Sequence, residues 1–182
     1  MKTLIVYYSY THNNEKLANL LRQKLHCDIL KIEELKKRTG FTILLDLLFG
    51  RHPAIKTDPC SLRDYDHIIF VAPIWAGQIG SPLKTFLAGE NKNIKSYSFI
   101  TACGGDGQKE KFEKQLFLTT NKEPLAIGEL PIHELLLASN KKINTTQYRI
   151  TEKDWAFFEL QLEDFLSTKG MPLASGWKVE TD

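Results

Sequence analysis

The chain has 182 residues, 42% of them hydrophobic and 25% charged, with a formal net charge of +2. No apolar stretch approaches the roughly 20 residues that cross a bilayer, and the Lys and Arg residues are dispersed rather than striped, so neither a membrane span nor a nucleic-acid surface is expected. Cys27, Cys60 and Cys103 are odd in number and far apart, and His12, His26, His52, His67 and His133 show no ligand spacing, which argues against a disulfide framework or a zinc site.

The length suits one domain over residues 1–182, with its core in 2–168 and a tail over 170–182. Met1-Lys2-Thr3 runs directly into apolar sequence rather than a secretory leader, so a cytoplasmic protein is expected. Leu4, Ile5 and Val6 open an unbroken β-forming run, as in a strand buried on both faces. Leu17, Leu20, Leu21 and Leu25 then recur at helical spacing. Asp28–Ile32 reads as a short second strand, His67–Ala72 as a third, Tyr97–Ala102 as a fourth and Leu125–Leu130 as a fifth.

Helices lie between these runs. Ser81-Pro82 opens one, with Pro82 suited to a first helical position and Leu83, Phe86 and Leu87 as its apolar face. Lys109–Leu118 carries Phe112, Leu116 and Phe117. The last helix begins at Thr151, where Thr-x-x-Asp resembles a capping arrangement, and buries Trp155, Phe158, Leu162, Phe165 and Leu166. Gly170 and Pro172 are its expected stop. Phe41–Phe49 is almost wholly apolar, and burial under the sheet edge is favoured over an exposed lid or dimer contact. Ser139–Tyr148 is polar and reads as a surface loop. Alternation of strand and helix throughout indicates an α/β fold with a mainly parallel sheet.

Three loops follow three of these strands. The first, Ser9–Asn14, puts hydroxyls and backbone N–H groups at a helix start, where a phosphate binds well, and it lacks the Gly-Lys-Ser/Thr of a triphosphate loop. The second, Pro73–Gly80, places Trp75 beside Gly77 just past a buried strand, where an indole can stack on a planar ring. The third, Cys103–Gln108, has Gly104, Gly105 and Gly107 and can present bare backbone to a heterocycle. Ligands of open parallel sheets bind beyond the carboxyl ends of the strands, so strand order 2-1-3-4-5 would bring the three loops to one rim. Cys103 has no evident His or Lys partner and reads as a small loop residue rather than a nucleophile.

From Lys2 to about Leu130 the chain resembles the flavodoxin family, in particular its short bacterial flavodoxin-like members. The carrying segments are LIVYYSYTHNNEKLA, GFTILLDLLFGRHPAI, DYDHIIFVAPIWAGQIGSPLKTFL and SFITACGGDGQKEKF. The resemblance implies a three-layer αβα sandwich around a five-stranded parallel sheet of order 2-1-3-4-5, with FMN as cofactor. Ser9, Thr11, His12, Asn13 and Asn14 would hold its phosphate; Pro73, Ile74, Trp75, Ala76 and Gly77 would flank the isoalloxazine; Cys103, Gly104, Gly105 and Asp106 would meet the pyrimidine edge. A carbonyl near Ala76 or Gly77 would accept from protonated flavin N5. In the family's phosphate loop His12 stands where glycine is common and Asn14 where threonine is, so His12 must tolerate whatever backbone angle the glycine had.

Electron-carrying flavodoxins are strongly acidic, and this chain is not. The expected function is therefore an FMN-dependent oxidoreductase passing electrons from NAD(P)H to a quinone or similar acceptor. The alternatives are a non-enzymatic carrier working with a redox partner protein and, less favoured, a cofactor-free scaffold. A homodimer is left open. No side chain stands out as a general acid or base.

Overall fold

In the computed structural model, which describes residues 1–36, 38–107 and 109–168, the five apolar runs pair side by side in parallel. In chain order the first part comprises β1 (Thr3–Tyr7), α1 (Asn13–Leu25), β2 (Asp28–Lys31), β3 (Glu33–Glu34), α2 (Gly40–Phe49) and β4 (Ile55–Lys56). Then come β5 (His67–Val71), the hairpin β6 (Ile74–Trp75) and β7 (Gln78–Ile79), α3 (Ser81–Glu90), β8 (Tyr97–Cys103) and α4 (Lys109–Thr120). The chain continues through β9 (Ile127–Pro131), α5 (Ile132–Ala138), a 3-10 turn over Glu152–Phe158 and α6 (Glu159–Ser167).

The main sheet runs β2-β1-β5-β8-β9, which is 2-1-3-4-5 when only its own strands are counted, as the resemblance implied. Every residue of β1, β5 and β8 is buried, because these central strands have layers on both faces. Their side chains alternate between two cores. Ile5, Ile69 and Ile100 meet Leu17 and Leu21 of α1 and Leu162 and Phe165 of α6. On the other face Leu4, Phe70 and Phe99 meet Leu83 and Leu87 of α3 and Phe112 and Leu116 of α4. Gly128 in β9 sets how closely α6 can approach. A Cβ there would lie 2.8 Å and 2.9 Å from Ile100 and 3.1 Å from Phe165.

His67 is buried in β5 with its two ring nitrogens 3.0 Å from the hydroxyls of Ser96 and Ser98. Neither partner is charged, so burial holds the imidazole neutral and pushes its pKa down to about 4.

Several expectations need amendment. Phe41–Phe49 does form a helix, α2, but the burial expected for it is wrong: only Asp46 of its residues is buried, while Phe41, Leu44, Leu48 and Phe49 are exposed. Hydrophobicity pointed inward, whereas the one acid is the residue that found partners. Phe117 of α4 also turns toward solvent, leaving Phe112 and Leu116 to carry that helix's buried face. The fifth strand starts at Ile127, two residues late, although the Leu125 amide still donates to the Tyr97 carbonyl at 2.8 Å. The Thr151 expectation is met by a capping box with Asp154, but the first turns after it are 3-10. Hairpin β6–β7 and helix α5 were not foreseen. Gln108, Gly170, Pro172 and the tail 170–182 lie outside the described residues.

Candidate functional site

The first loop leaves β1 and enters α1 through His12, whose φ of +66° is left-handed, so the backbone angle that glycine usually takes is indeed required here. His12 does not cap the helix; its Nδ1 lies 2.7 Å from Glu15 Oε2, and the Tyr7 hydroxyl reaches the same carboxylate at 3.2 Å. These contacts, the His12 bond first, hold the Glu15 carboxyl below its usual range.

Asn13 and Asn14 behave differently from the phosphate-facing amides expected of them. Asn13 donates through Nδ2 to the Tyr148 carbonyl at 2.9 Å and accepts the Ile150 amide at Oδ1, 3.0 Å. Asn14 donates to the Ala102 carbonyl at 3.1 Å and accepts the Ala102 amide at 2.9 Å. Both side chains are buried and stitch the loop to β8 and to the approach to the last helix. What they leave for an anion is the backbone N–H groups of the first helical turn, which have no intrahelical partner. Ser9 adds a buried hydroxyl with no hydrogen-bond partner, a group that costs free energy unless something accepts or donates there.

The second loop is shaped by its hairpin. Trp75 pairs with Gln78 across a two-residue turn in which Ala76 (φ +49°) and Gly77 (φ +76°) are both left-handed, as such hairpins demand. The Gly77 carbonyl, a proposed acceptor for flavin N5, already accepts from Gln115 Nε2 at 3.0 Å. Trp75 is half-buried rather than folded into the core. It meets the edges or faces of Tyr8 and Tyr10 with centroids 6.1 Å and 6.2 Å away, at 89° to each. The Arg38 guanidinium sits 5.1 Å from its ring.

That arginine belongs to a buried ionic knot. Arg38 binds both Glu34 oxygens at 2.8–2.9 Å through Nε and Asp46 at 2.7 Å through Nη1, and Asp46 also accepts from Ser81 Oγ at 2.7 Å. Tyr8 donates to Glu34 at 2.6 Å. Burial alone would weaken the arginine's hold on its proton, but the two carboxylates outweigh it and strengthen that hold. The knot joins β3, α2 and α3 beneath Trp75.

Between the loops lies a cleft of about 220 Å³. Thr11, Asn13, Asn14, Pro73, Ile74, Trp75, Cys103 and Gly104 line it, so all three expected loops converge. Ser9, His12, Ala76, Gly77, Gly105 and Asp106 are not among its lining residues. Asp106 instead faces away toward His133 Nε2, 3.9 Å distant, in a group that also includes Glu134. Tyr10, Ile43, Ala102, Ile132, Thr145 and Thr146 line the cleft unforeseen. Tyr10 was within reach of sequence reasoning, since it sits inside the first loop. Nothing local marks Ile43, Thr145 or Thr146. A Cβ at Gly104 would lie 3.1 Å from Thr145 Oγ1, so a side chain there would press on that hydroxyl. The Cys103 thiol donates to the Gly105 carbonyl at 2.9 Å, and burial pushes its pKa up to about 12, which favours the thiol over the nucleophilic thiolate.

A rim cleft at the ends of β1, β5 and β8, with this strand order and three αβα layers, decides the architecture. The fold is flavodoxin-like. No protein-family model and no curated protein matches the sequence. Solved structures do match. A flavoprotein from Lactobacillus acidophilus, crystallised in complex with FMN, superimposes with a TM-score of 0.63 at 20% identity, covering 70% of this chain and 92% of its own. A protein described as a flavoprotein from Bacteroides eggerthii gives 0.64 at 17% identity, covering 88% and 98%. Another so described, from Bacteroides uniformis, gives 0.60 at 20% identity, covering 78% and 98%.

Proposed function

We propose that this flavodoxin-like protein binds FMN in the rim cleft and serves as an FMN-dependent oxidoreductase, taking electrons from NAD(P)H and passing them to a quinone or similar acceptor. The observation that carries the reading is one cleft lined by both the anion-ready start of α1 and the half-exposed Trp75, with the unpartnered Ser9 hydroxyl buried in the loop that leads into that helix. The Lactobacillus protein, with FMN bound, supports the choice of flavin over other planar phosphorylated ligands.

On this reading Ser9, Thr11 and the first amides of α1 would hold the phosphate. Trp75 with Pro73 and Ile74 would flank the ring system, and Cys103 and Gly104 would offer backbone to its polar edge. His12 would contribute backbone only, its ring being engaged by Glu15. Bound FMN supplies hydride acceptance and one- or two-electron donation, while the protein supplies orientation and exclusion of water. At about 220 Å³ the cleft is below the roughly 300–1,000 Å³ usual for ligand pockets, so it must widen to admit a tricyclic ring.

The near-neutral net charge favours an enzyme over a carrier steered by an acidic surface. The decisive experiment is the visible spectrum of the purified protein after adding FMN and removing the excess by gel filtration. Retained flavin bands, reduced about tenfold in affinity by Ser9→Ala, support the site. Rapid NADH or NADPH oxidation with a quinone then supports the enzyme, and slow turnover that needs a separate reductase identifies a carrier. A colourless protein whose Trp75 fluorescence is not quenched by FMN overturns the reading.

A further inference from the structure

Helix α2 has its polarity inverted. Its single ionisable side chain, Asp46, is turned inward onto Arg38 and Ser81, while Phe41, Leu44, Leu48 and Phe49 are 68%, 50%, 67% and 71% exposed. Leaving four large apolar side chains in water on ten residues costs solubility unless something covers them. Positions 41, 44 and 48 recur at helical spacing, so they share one uncharged stripe roughly 10 Å long.

Basic residues flank this helix at both ends, with Lys36 before it and Arg51 after it both exposed. Residues 35–56 contain five Lys and Arg against one Asp, so without them the remaining chain would be net negative. A cleft of about 300 Å³ beside α2 is lined by Lys36, Arg51 and His52, and its two acids, Glu34 and Asp46, are already engaged by Arg38. Among the described residues neither Lys36 nor His52 has a carboxylate partner, and Arg51 comes only within 3.9 Å of the committed Asp46.

We propose that α2 is a membrane-docking helix, inserting its Phe/Leu stripe into the surface of an anionic bilayer while the exposed Lys36 and Arg51 at its two ends meet lipid phosphate. An apolar face edged by cations is the pattern of helices that lie in the headgroup layer. A second copy of this chain fits worse, because the pairing would bring two basic segments together. A folded protein partner also fits worse: a stripe this short offers far less than the roughly 800 Å² per side of a specific interface, whereas lipid asks for no complementary shape. Ile43, on the far side of the same helix, lines the rim cleft, so docking holds that cleft about one helix diameter from the bilayer surface. The acceptor would then be a lipid-soluble oxidant drawn from the membrane, a consequence that rests on the proposed redox function, whereas docking itself does not.

The test is co-sedimentation of the full chain with sucrose-loaded vesicles, with and without added FMN. Vesicles of phosphatidylcholine with 30% phosphatidylglycerol are compared with pure phosphatidylcholine. The expected result is pelleting with the anionic vesicles only, weakened at least fivefold by high salt. Leu44→Gln with Leu48→Gln should weaken it at least tenfold while leaving the far-UV circular dichroism and melting temperature unchanged. Arg51→Gln should weaken it by a smaller factor. Binding to vesicles by a chain that retains no FMN would leave docking standing and remove only its redox consequence. Failure to pellet at low salt, pelleting indifferent to the Leu pair, or a concentration-dependent dimer abolished by that pair would overturn the proposal.

Discussion

Helices α1 and α2 both follow a strand of the first half, and both reach the rim cleft, yet they are held in opposite ways. α1 is amphipathic in the ordinary sense. Leu17, Ala18 and Leu21 are fully buried against the sheet, Glu15 lies in its first turn, and Arg22 and Lys24 in its last, where the helix dipole favours them. α2 has no charge in either end turn. Its fixings are the Thr39–Thr42 capping box, the left-handed Gly50 at its end, and the Asp46–Arg38 pair inside. A helix glued by apolar area is committed to its own core. One fixed by caps and a buried ion pair keeps its apolar side free for another surface.

The contrast can be broken most sharply at α1. Leu21→Ala removes a wholly buried side chain and should lower unfolding free energy by about 2–5 kcal/mol in urea titration. A loss under 1 kcal/mol would mean that α1 is no better anchored than α2.

Acid should act on the sheet beneath both helices alike. The folded His67 pKa, near 4, is depressed below its ordinary 6.5, so between these values the unfolded chain binds the proton and the native state does not. Stability from this group is fully present above pH 6.5 and is lost as pH falls toward 4, by about 3 kcal/mol in total. His67→Gln should flatten the slope of stability against pH in that window, whatever its effect on the plateau. An unchanged slope would place the titration elsewhere.

Asp46→Ala should cost about 2 kcal/mol, since it strands part of the Arg38 charge and the Ser81 hydroxyl while Glu34 still compensates the guanidinium. The loss should appear first as hydrogen exchange over residues 38–50, with the α1 amides still protected. Simultaneous exchange of both helices would show that α2 is not separately held. Smallest of all, Leu44→Gln with Leu48→Gln should shift stability by no more than about 0.5 kcal/mol, because exposed positions of similar helix propensity carry little. A larger loss in a chemical melt would contradict their exposure.

The same contrast explains what the sequence disclosed. Leu4–Val6, His67–Ala72 and Tyr97–Ala102 are largely apolar because the central strands are covered on both faces, and the rim loops follow from where those strands end. The apolar face of α1 was equally legible, since its burial is local and periodic. Phe41–Phe49 misled because hydrophobicity reports a preference for leaving water, not whether a covering surface exists in the same chain. Arg38 and Asp46 gave no signal, being eight residues apart across an uncharged run and joined only by tertiary packing. Thr145 and Thr146 reach the cleft from a segment whose polarity predicted only a surface loop. Asn13 and Asn14 looked like ligand-facing amides, and their partners at Ala102, Tyr148 and Ile150 are too distant along the chain to be read from pattern.

Those two asparagines also fix when the rim is finished during synthesis. The Asn13 side chain is satisfied only by backbone 135 and 137 residues downstream. At ribosomal speeds of roughly 5–20 residues per second, the start of α1 waits on the order of ten seconds for its clasp. A nascent chain that stops short of Tyr148 would already hold Asn14 on Ala102 but would carry the Asn13 amide without partners at its N-terminal end, and would present that opening to chaperones until residues 148–150 arrive.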